Sequence, residues 1–71
     1  MKAWIEGQPD TAKDYPYNER ASDAAESCAL ENYQKCKYDV LSVIVDDGGK
    51  HRLFHVEVGL RAEAFDMGDA K

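Results

Sequence analysis

Tyr38-Asp39-Val40-Leu41-Ser42-Val43-Ile44-Val45-Asp46-Asp47-Gly48-Gly49-Lys50-His51-Arg52-Leu53-Phe54-His55-Val56-Glu57-Val58 is the stretch whose reading decides this fold. Val40 to Val45 is a β-branched apolar run, Asp46-Asp47-Gly48-Gly49 is turn chemistry, and Lys50 to Val58 alternates, so the stretch predicts a β-hairpin. A loop at Asp47-Gly48 or at Gly48-Gly49 gives the same parity. Leu41, Val43 and Val45 then share one face with Arg52, Phe54, Val56 and Val58. Val40, Ser42, Ile44, Leu53, His55 and Glu57 take the other. The first face is nearly free of polar residues and is expected to form the core, because a one-residue slip would turn all of it to water. Val40 to Val45 is the most continuously apolar strand and is expected at the centre of the sheet.

Upstream, Met1, Ala3 and Ile5 alternate with Lys2, Trp4 and Glu6, which predicts a first strand over residues 1–8. With Ala3 and Ile5 in the core, Trp4 joins Val40, Ile44 and Leu53 on a face that no predicted helix covers. An apolar patch of that kind marks a contact surface; the opposite parity makes Trp4 a core residue. Gly7 to Asn18 holds Pro9 and Pro16 with Asp10 and Asp14, and reads as a loop crossing the sheet edge. Tyr15 and Tyr17 in that loop either lid the core or serve as aromatic anchors for a partner.

A helix is expected next, with Ser22 as N-cap, Asp23 and Glu26 in the first turn, and Lys35 and Lys37 at its far end. Ala21, Ala24, Ala25, Cys28, Ala29, Asn32 and Cys36 fall on one stripe, flanked by Tyr33. Small residues on a buried face let a helix lie close to a sheet. Glu19, Asp23, Glu26 and Glu31 line the outer surface. Carboxylates on successive turns lie ~6 Å apart, near the phosphate spacing of a nucleic-acid strand, so this edge could occupy a phosphate-binding groove. The alternative is an ordinary solvated helix face. Residues 59–71 fit a further strand, from Leu60, Ala62 and Ala64, or one helical turn around Leu60, Ala64 and Met67, with Gly68-Asp69-Ala70-Lys71 expected to be frayed. The expected fold is therefore α+β: a single small β-α-β-β domain over residues 1–71, with a three-stranded, mainly antiparallel sheet and one helix packed on one face.

Composition adds limits. A chain of 71 residues, 44% hydrophobic and 32% charged, holds one thin core. No apolar run approaches the ~20 residues that cross a bilayer. The opening Met1-Lys2-Ala3-Trp4-Ile5-Glu6 lacks the pattern of a secretory signal, which makes the cytoplasm the expected location. Fourteen acids against 9 bases give a net charge of −5, which disfavours direct binding to nucleic acid or anionic membrane. Such acidity serves solubility, or offers carboxylates to a basic groove on another protein.

Candidate chemical sites are sparse. Cys28 and Cys36 on one helix would be separated by ~12 Å of rise, too far for a disulfide. Together with His51 and His55 they lack the spacing and topology of a zinc finger, and no metal or cofactor is expected. Ser42, His55 and Glu57 read as surface side chains of a strand, since no nucleophile elbow or phosphate loop accompanies them. The Asp46-Asp47-Gly48-Gly49 loop lacks further oxygen ligands for calcium. No enzymatic activity is expected.

Ala21-Ser22-Asp23-Ala24-Ala25-Glu26 opening a helix, followed by Val43, Val45, Asp46, Gly48, Phe54 and Val56 in a hairpin, resembles short accessory proteins encoded by phages and prophages. Their shared pattern is a capped alanine-rich helix followed by a Val-x-Val, Asp-x-Gly, Phe-x-Val hairpin. The likeness covers about half the chain. Some acidic phage proteins of this size are anti-CRISPR inhibitors that block the DNA groove of a CRISPR effector complex; no inhibitor's binding motif is matched in this chain. The resemblance implies a binder in the host cytoplasm whose partner is a larger protein or ribonucleoprotein complex with a basic groove. Glu19, Asp23, Glu26 and Glu31, with Asp46 and Asp47, would supply the charge, and Tyr15, Tyr17 and Trp4 the aromatic anchors. The alternative is a small homodimeric structural or adaptor protein that buries Trp4, Ile44 and Leu53 against a second copy.

Overall fold

The computed structural model describes residues 1–33, 39–59 and 61–70, with the backbone only at Asp39. Its order is β1 (Lys2–Ile5), β2 (Gln8–Asp14), α1 (Ala21–Asn32), β3 (Asp39–Asp47), β4 (Lys50–Val58) and β5 (Ala62–Asp69). All neighbours pair antiparallel in one five-stranded sheet, ordered β2-β1-β3-β4-β5. This corrects the expected three-stranded β-α-β-β fold: the domain is mostly β, with two additional strands.

The hairpin has the predicted parity. Asp47 pairs with Lys50, so Gly48 and Gly49 form a two-residue loop, and Val43 pairs with Phe54 at the middle of the ladder. Both glycines have positive φ, +62° and +92°. A turn of that hand matches the twist of its strands and is open to glycine at little steric cost. The Asp46 carboxylate accepts the Gly49 N–H at 2.9 Å, pinning the loop from inside. β3 lies in the centre of the sheet, as its continuous apolar run predicts.

The first correction is β2, expected as a loop. Its burial is close to nil apart from half-buried Thr11, so no apolar alternation announces it. Backbone pairing and one hydroxyl hold it instead. The Thr11 Oγ1 accepts from the Ile5 N–H at 2.8 Å and donates to the Gln8 carbonyl at 2.7 Å. Pro9 is tolerated because β2 is an edge strand, where a missing N–H breaks no interior ladder. Gly7, at φ +80°, makes the preceding turn.

The tail takes the strand alternative and forms β5, which corrects the three-strand count and places Gly68 and Asp69 in a strand rather than a frayed end. Ala62 and Ala64 face the core opposite Val58 and Val56, and a bulge near the strand's end sets Met67 and Gly68 together against Leu53. The Glu26 carboxylate on α1 accepts the Ala64 N–H at 3.1 Å. One edge-strand donor is thereby satisfied by the helix.

The helix covers one face of the sheet, packing on β1, β3, β4 and β5. Ala24, Ala25, Cys28 and Ala29 are buried beneath it against Ala3, Ile5, Val43, Val45, Phe54, Val56 and Val58. The small-residue stripe is therefore the buried face, and the large apolar volume comes from the sheet. Ser22 is not the N-cap: Arg20 occupies that position without a side-chain cap, and its guanidinium pairs instead with Asp23 at 3.3 Å. The expected helix end at Lys35 and Lys37, and Cys36 on the stripe, lie outside the described residues.

Candidate functional site

The face of the sheet opposite the helix carries the most distinctive chemistry. An antiparallel sheet with one wet face normally alternates apolar-in with polar-out. Here one row of the outer side is apolar too. Trp4 pairs with Ile44, and Ile44 with Leu53, so three large apolar side chains form a row across β1, β3 and β4. Met67 extends the row onto β5, where it opposes Leu53. Val40 and Phe65 flank it, and Val40, Phe65 and Met67 are 48%, 43% and 52% exposed. The Trp4 indole meets the His51 ring edge-on, with centroids 5.1 Å apart.

Polar groups close both ends of this face. Lys2, Asp46 and His51 lie side by side across β1, β3 and β4 at one end. Val40, Glu57 and Glu63 lie side by side at the other, which makes Glu57 and Glu63 direct cross-strand partners. Phe65, Met67 and Glu63 belong to the face and were not legible as part of it. The signal was the alternation of Ala62 and Ala64 with Glu63 and Phe65, ambiguous until the strand's register is known.

The acids expected to form a helix-edge row have diverse roles. Glu31 receives the Lys13 ammonium at 3.1 Å and the Tyr15 hydroxyl at 2.9 Å. Glu26 is committed to β5, Asp23 to Arg20 and Asp46 to its own turn. Glu19 and Asp47 stand exposed. A continuous line of free carboxylates along the helix is therefore not what the structure brings together.

The tyrosines divide. Tyr15 is buried in the core cluster, which is the lid role, whereas Tyr17 is 95% exposed. Both line a shallow cleft of about 270 Å³ with Lys13, Asp14, Pro16, Asn18 and Glu31. That volume falls short of the usual range for small-molecule sites.

Burial, with the hydrogen bond to Glu31, pushes the Tyr15 phenol well above its ordinary range. Lys13 first and Tyr15 second hold the Glu31 carboxyl below its usual value. The Gly68 N–H, followed by Arg52, does the same for Asp66. A raised phenol contributes stability that is whole below about pH 10 and is lost as pH rises further. The lowered carboxyls contribute stability present above about pH 4 and lost as pH falls through their folded-state values. Thermal melts across pH should therefore fall off at both extremes. Tyr15→Phe should flatten the alkaline limb while leaving the Asp66 part of the acid limb, and an alkaline limb that is identical in Tyr15→Phe would assign the loss to another group.

Ser42 and His55 are cross-strand neighbours on the open face, but no hydrogen bond joins them. Cys28 is buried on the far side, and burial raises its thiol. Among the described residues, no group of three or more His, Cys, Asp or Glu is gathered as a metal site; Cys36 lies outside them. Among the same residues, no helix is long and apolar enough to cross a membrane. Comparison with protein-family models, curated proteins and solved structures finds no match to this chain.

Proposed function

We propose that this chain is a non-catalytic binding protein, acting in the cytoplasm, whose target is a larger, basic, nucleic-acid-handling complex that it inhibits in the manner of an anti-CRISPR protein. The observation that carries the binding reading is the apolar row Trp4-Ile44-Leu53-Met67 on the side of the sheet the helix leaves open. A face serving only solvation would be expected to alternate to polar residues there, and aromatic and long aliphatic side chains on an open sheet are what interfaces select. The net charge of −5 supports a basic target, since opposite surface charge speeds encounter and excludes acidic competitors. The phage-protein resemblance of the helix and hairpin motifs supports the class of target.

Glu19, which is exposed, and Asp23, whose only partner among the described residues is the neighbouring Arg20 side chain, are the ones to test. Glu26 is a poor choice because its reversal would also strip the Ala64 N–H of its acceptor. The measurement is DNA binding by purified CRISPR effector complexes of several types, with and without this chain, at low and high salt. Inhibition of one type that weakens roughly tenfold in Glu19→Lys/Asp23→Lys, and weakens with salt, is the expected result. No effect on any complex, or an effect that ignores both the substitutions and salt, overturns the target class.

A further inference from the structure

The two edges of the sheet, β2 and β5, are protected in different ways. β2 carries Pro9, which has no N–H to offer, and apart from Ala12 its side chains are polar and mostly exposed. Such an edge turns away an incoming strand by its composition. β5 has no such composition. Its eight residues include neither proline nor lysine, and Phe65 and Met67 stand on it with large exposed areas. A long edge strand with exposed apolar side chains recruits other chains unless something closes it.

The hairpin determines which backbone groups of β5 face outward. Asp47 and Lys50 close a two-residue loop, so they exchange hydrogen bonds, and every second pair along the ladder does the same through Val45–Arg52, Val43–Phe54 and Leu41–Val56. The residues between them, His51, Leu53, His55 and Glu57, therefore turn their backbone groups toward β5. The Ala70 N–H on the His51 carbonyl, at 2.8 Å, agrees. Glu63 and Phe65 are then the β5 residues bonded to β4, opposite Glu57 and His55, and Ala62, Ala64 and Asp66 present their backbone groups to the outside.

Carboxylates and a bulge close this edge. Beyond Phe65, the bulge at Met67 and Gly68 interrupts the regular strand, and the Asp66 carboxylate accepts the Gly68 N–H at 2.8 Å. Before it, in the regular half, the acceptor comes from another element: Glu26 of α1, 38 residues away in the chain, takes the outward Ala64 N–H at 3.1 Å. Without that acceptor the strand is self-complementary. In an antiparallel pair centred on Ala64, the two Ala64 residues exchange N–H and carbonyl, Ala62 faces Asp66, and Glu63 faces Phe65. No like charges stand directly opposite in that register.

We propose that Glu26 is an edge guard: its carboxylate withholds the Ala64 N–H from the β5 strand of a second copy, and so keeps the sheet from extending edge to edge. Because the guard rides on α1, docking of the helix and closure of the edge are one contact. The inference concerns the edge of the sheet and is independent of what the open face binds.

Sedimentation equilibrium on the full chain and its variants over about 1–300 µM tests it. Glu26→Ala should self-associate at concentrations at least roughly tenfold lower than the original chain, the scale of one hydrogen bond to a charged group. Glu26→Gln keeps an acceptor oxygen and should behave as the original does. Glu26→Ala/Ala64→Pro has no donor at position 64 and should lose the association. Proline there breaks no bond to β4, since that N–H faces outward; circular dichroism checks the fold. A separate reading needs no proline: amide exchange at Ala64 in Glu26→Ala should slow as concentration rises. Glu26→Ala associating no more readily than the original overturns the proposal. So does Ala64 exchange that is fast at every concentration, which is what mere loss of a stabilising contact would give. Association that survives Ala64→Pro overturns it by placing the contact elsewhere, and equal association in Glu26→Gln and Glu26→Ala overturns it by making charge, not the acceptor, the cause. The effector assay varies Glu19 and Asp23, so its outcome stands or falls separately.

Discussion

Phe54→Ala should leave the domain at the edge of unfolding. Phe54 is the largest fully buried side chain among the described residues, 2% exposed, on β4 between Val43 of β3 and Asp66 of β5. Truncating a buried phenylalanine costs about 3–5 kcal/mol, the transfer energy of the ring plus the cavity it leaves. Domains of this length are stable by roughly 4–10 kcal/mol. About a third to all of the total is therefore at stake. In a chain this small, the loss should lower the melting temperature by at least ~12 °C. Collapse is a weak remedy, because the residues above Phe54 are alanines and a cysteine on a rigid helix, too short to fill the gap. Phe54→Leu should cost much less. The check is a urea or thermal transition of the three proteins; a Phe54→Ala chain melting within a few degrees of the original would mean the ring is not the centre of this core.

The second large effect comes from adding volume. Ala25 is fully buried on α1, where the helix lies against the sheet. Ala25→Leu should destabilise by about 1–3 kcal/mol or more, because extra methylenes at a close-packed contact force the backbones apart. The shift should propagate to β5, since Glu26 next to it holds the Ala64 N–H. Amide exchange of β5 should therefore quicken more than that of β3. Leu30→Ala, on the exposed side of the same helix, should change stability by no more than about 0.5 kcal/mol. Equal effects at Ala25 and Leu30 would contradict the close helix–sheet contact.

The hairpin was legible because three independent signals agreed. The β-branched run, the two glycines and the alternation in Lys50 to Val58 all required one parity, and a slip by one residue would have exposed Val43, Val45, Phe54 and Val56 together. The small-residue stripe was legible for a related reason: four buried positions recur at helical spacing. β2 was not legible. Its side chains are almost entirely exposed, and Pro9 argued against a strand unless that strand sat at an edge. Edge position is a property of the whole sheet. β5 failed differently, because Ala62 and Ala64 fit a strand or a helical turn equally well until Val56 and Val58 present an unfilled edge.

The candidate site divides along the same line. Placement of Trp4 beside Ile44 and Leu53 on an open face was one of two parities the sequence left open, and the pairing of β1 with β3 decided it. Its extension to Phe65 and Met67, and the juxtaposition of Glu57 with Glu63, needed β5 in place. The acids misled for a physical reason: helical spacing aligns carboxylates, but whether each faces water depends on what neighbouring strands offer. Lys13 and Tyr15 took Glu31, and the Ala64 N–H took Glu26.

By itself, then, the amino-acid order determined what local physics controls: the parity of β3 with β4, the turn between them and the buried stripe of the helix. Tertiary structure alone decided which strands stand at the edges, that the tail completes the sheet, and which carboxylates remain free. Those outcomes depend on partners distant in the chain, and neither a side chain's neighbours across a sheet nor an unpaired edge exists until the sheet is assembled.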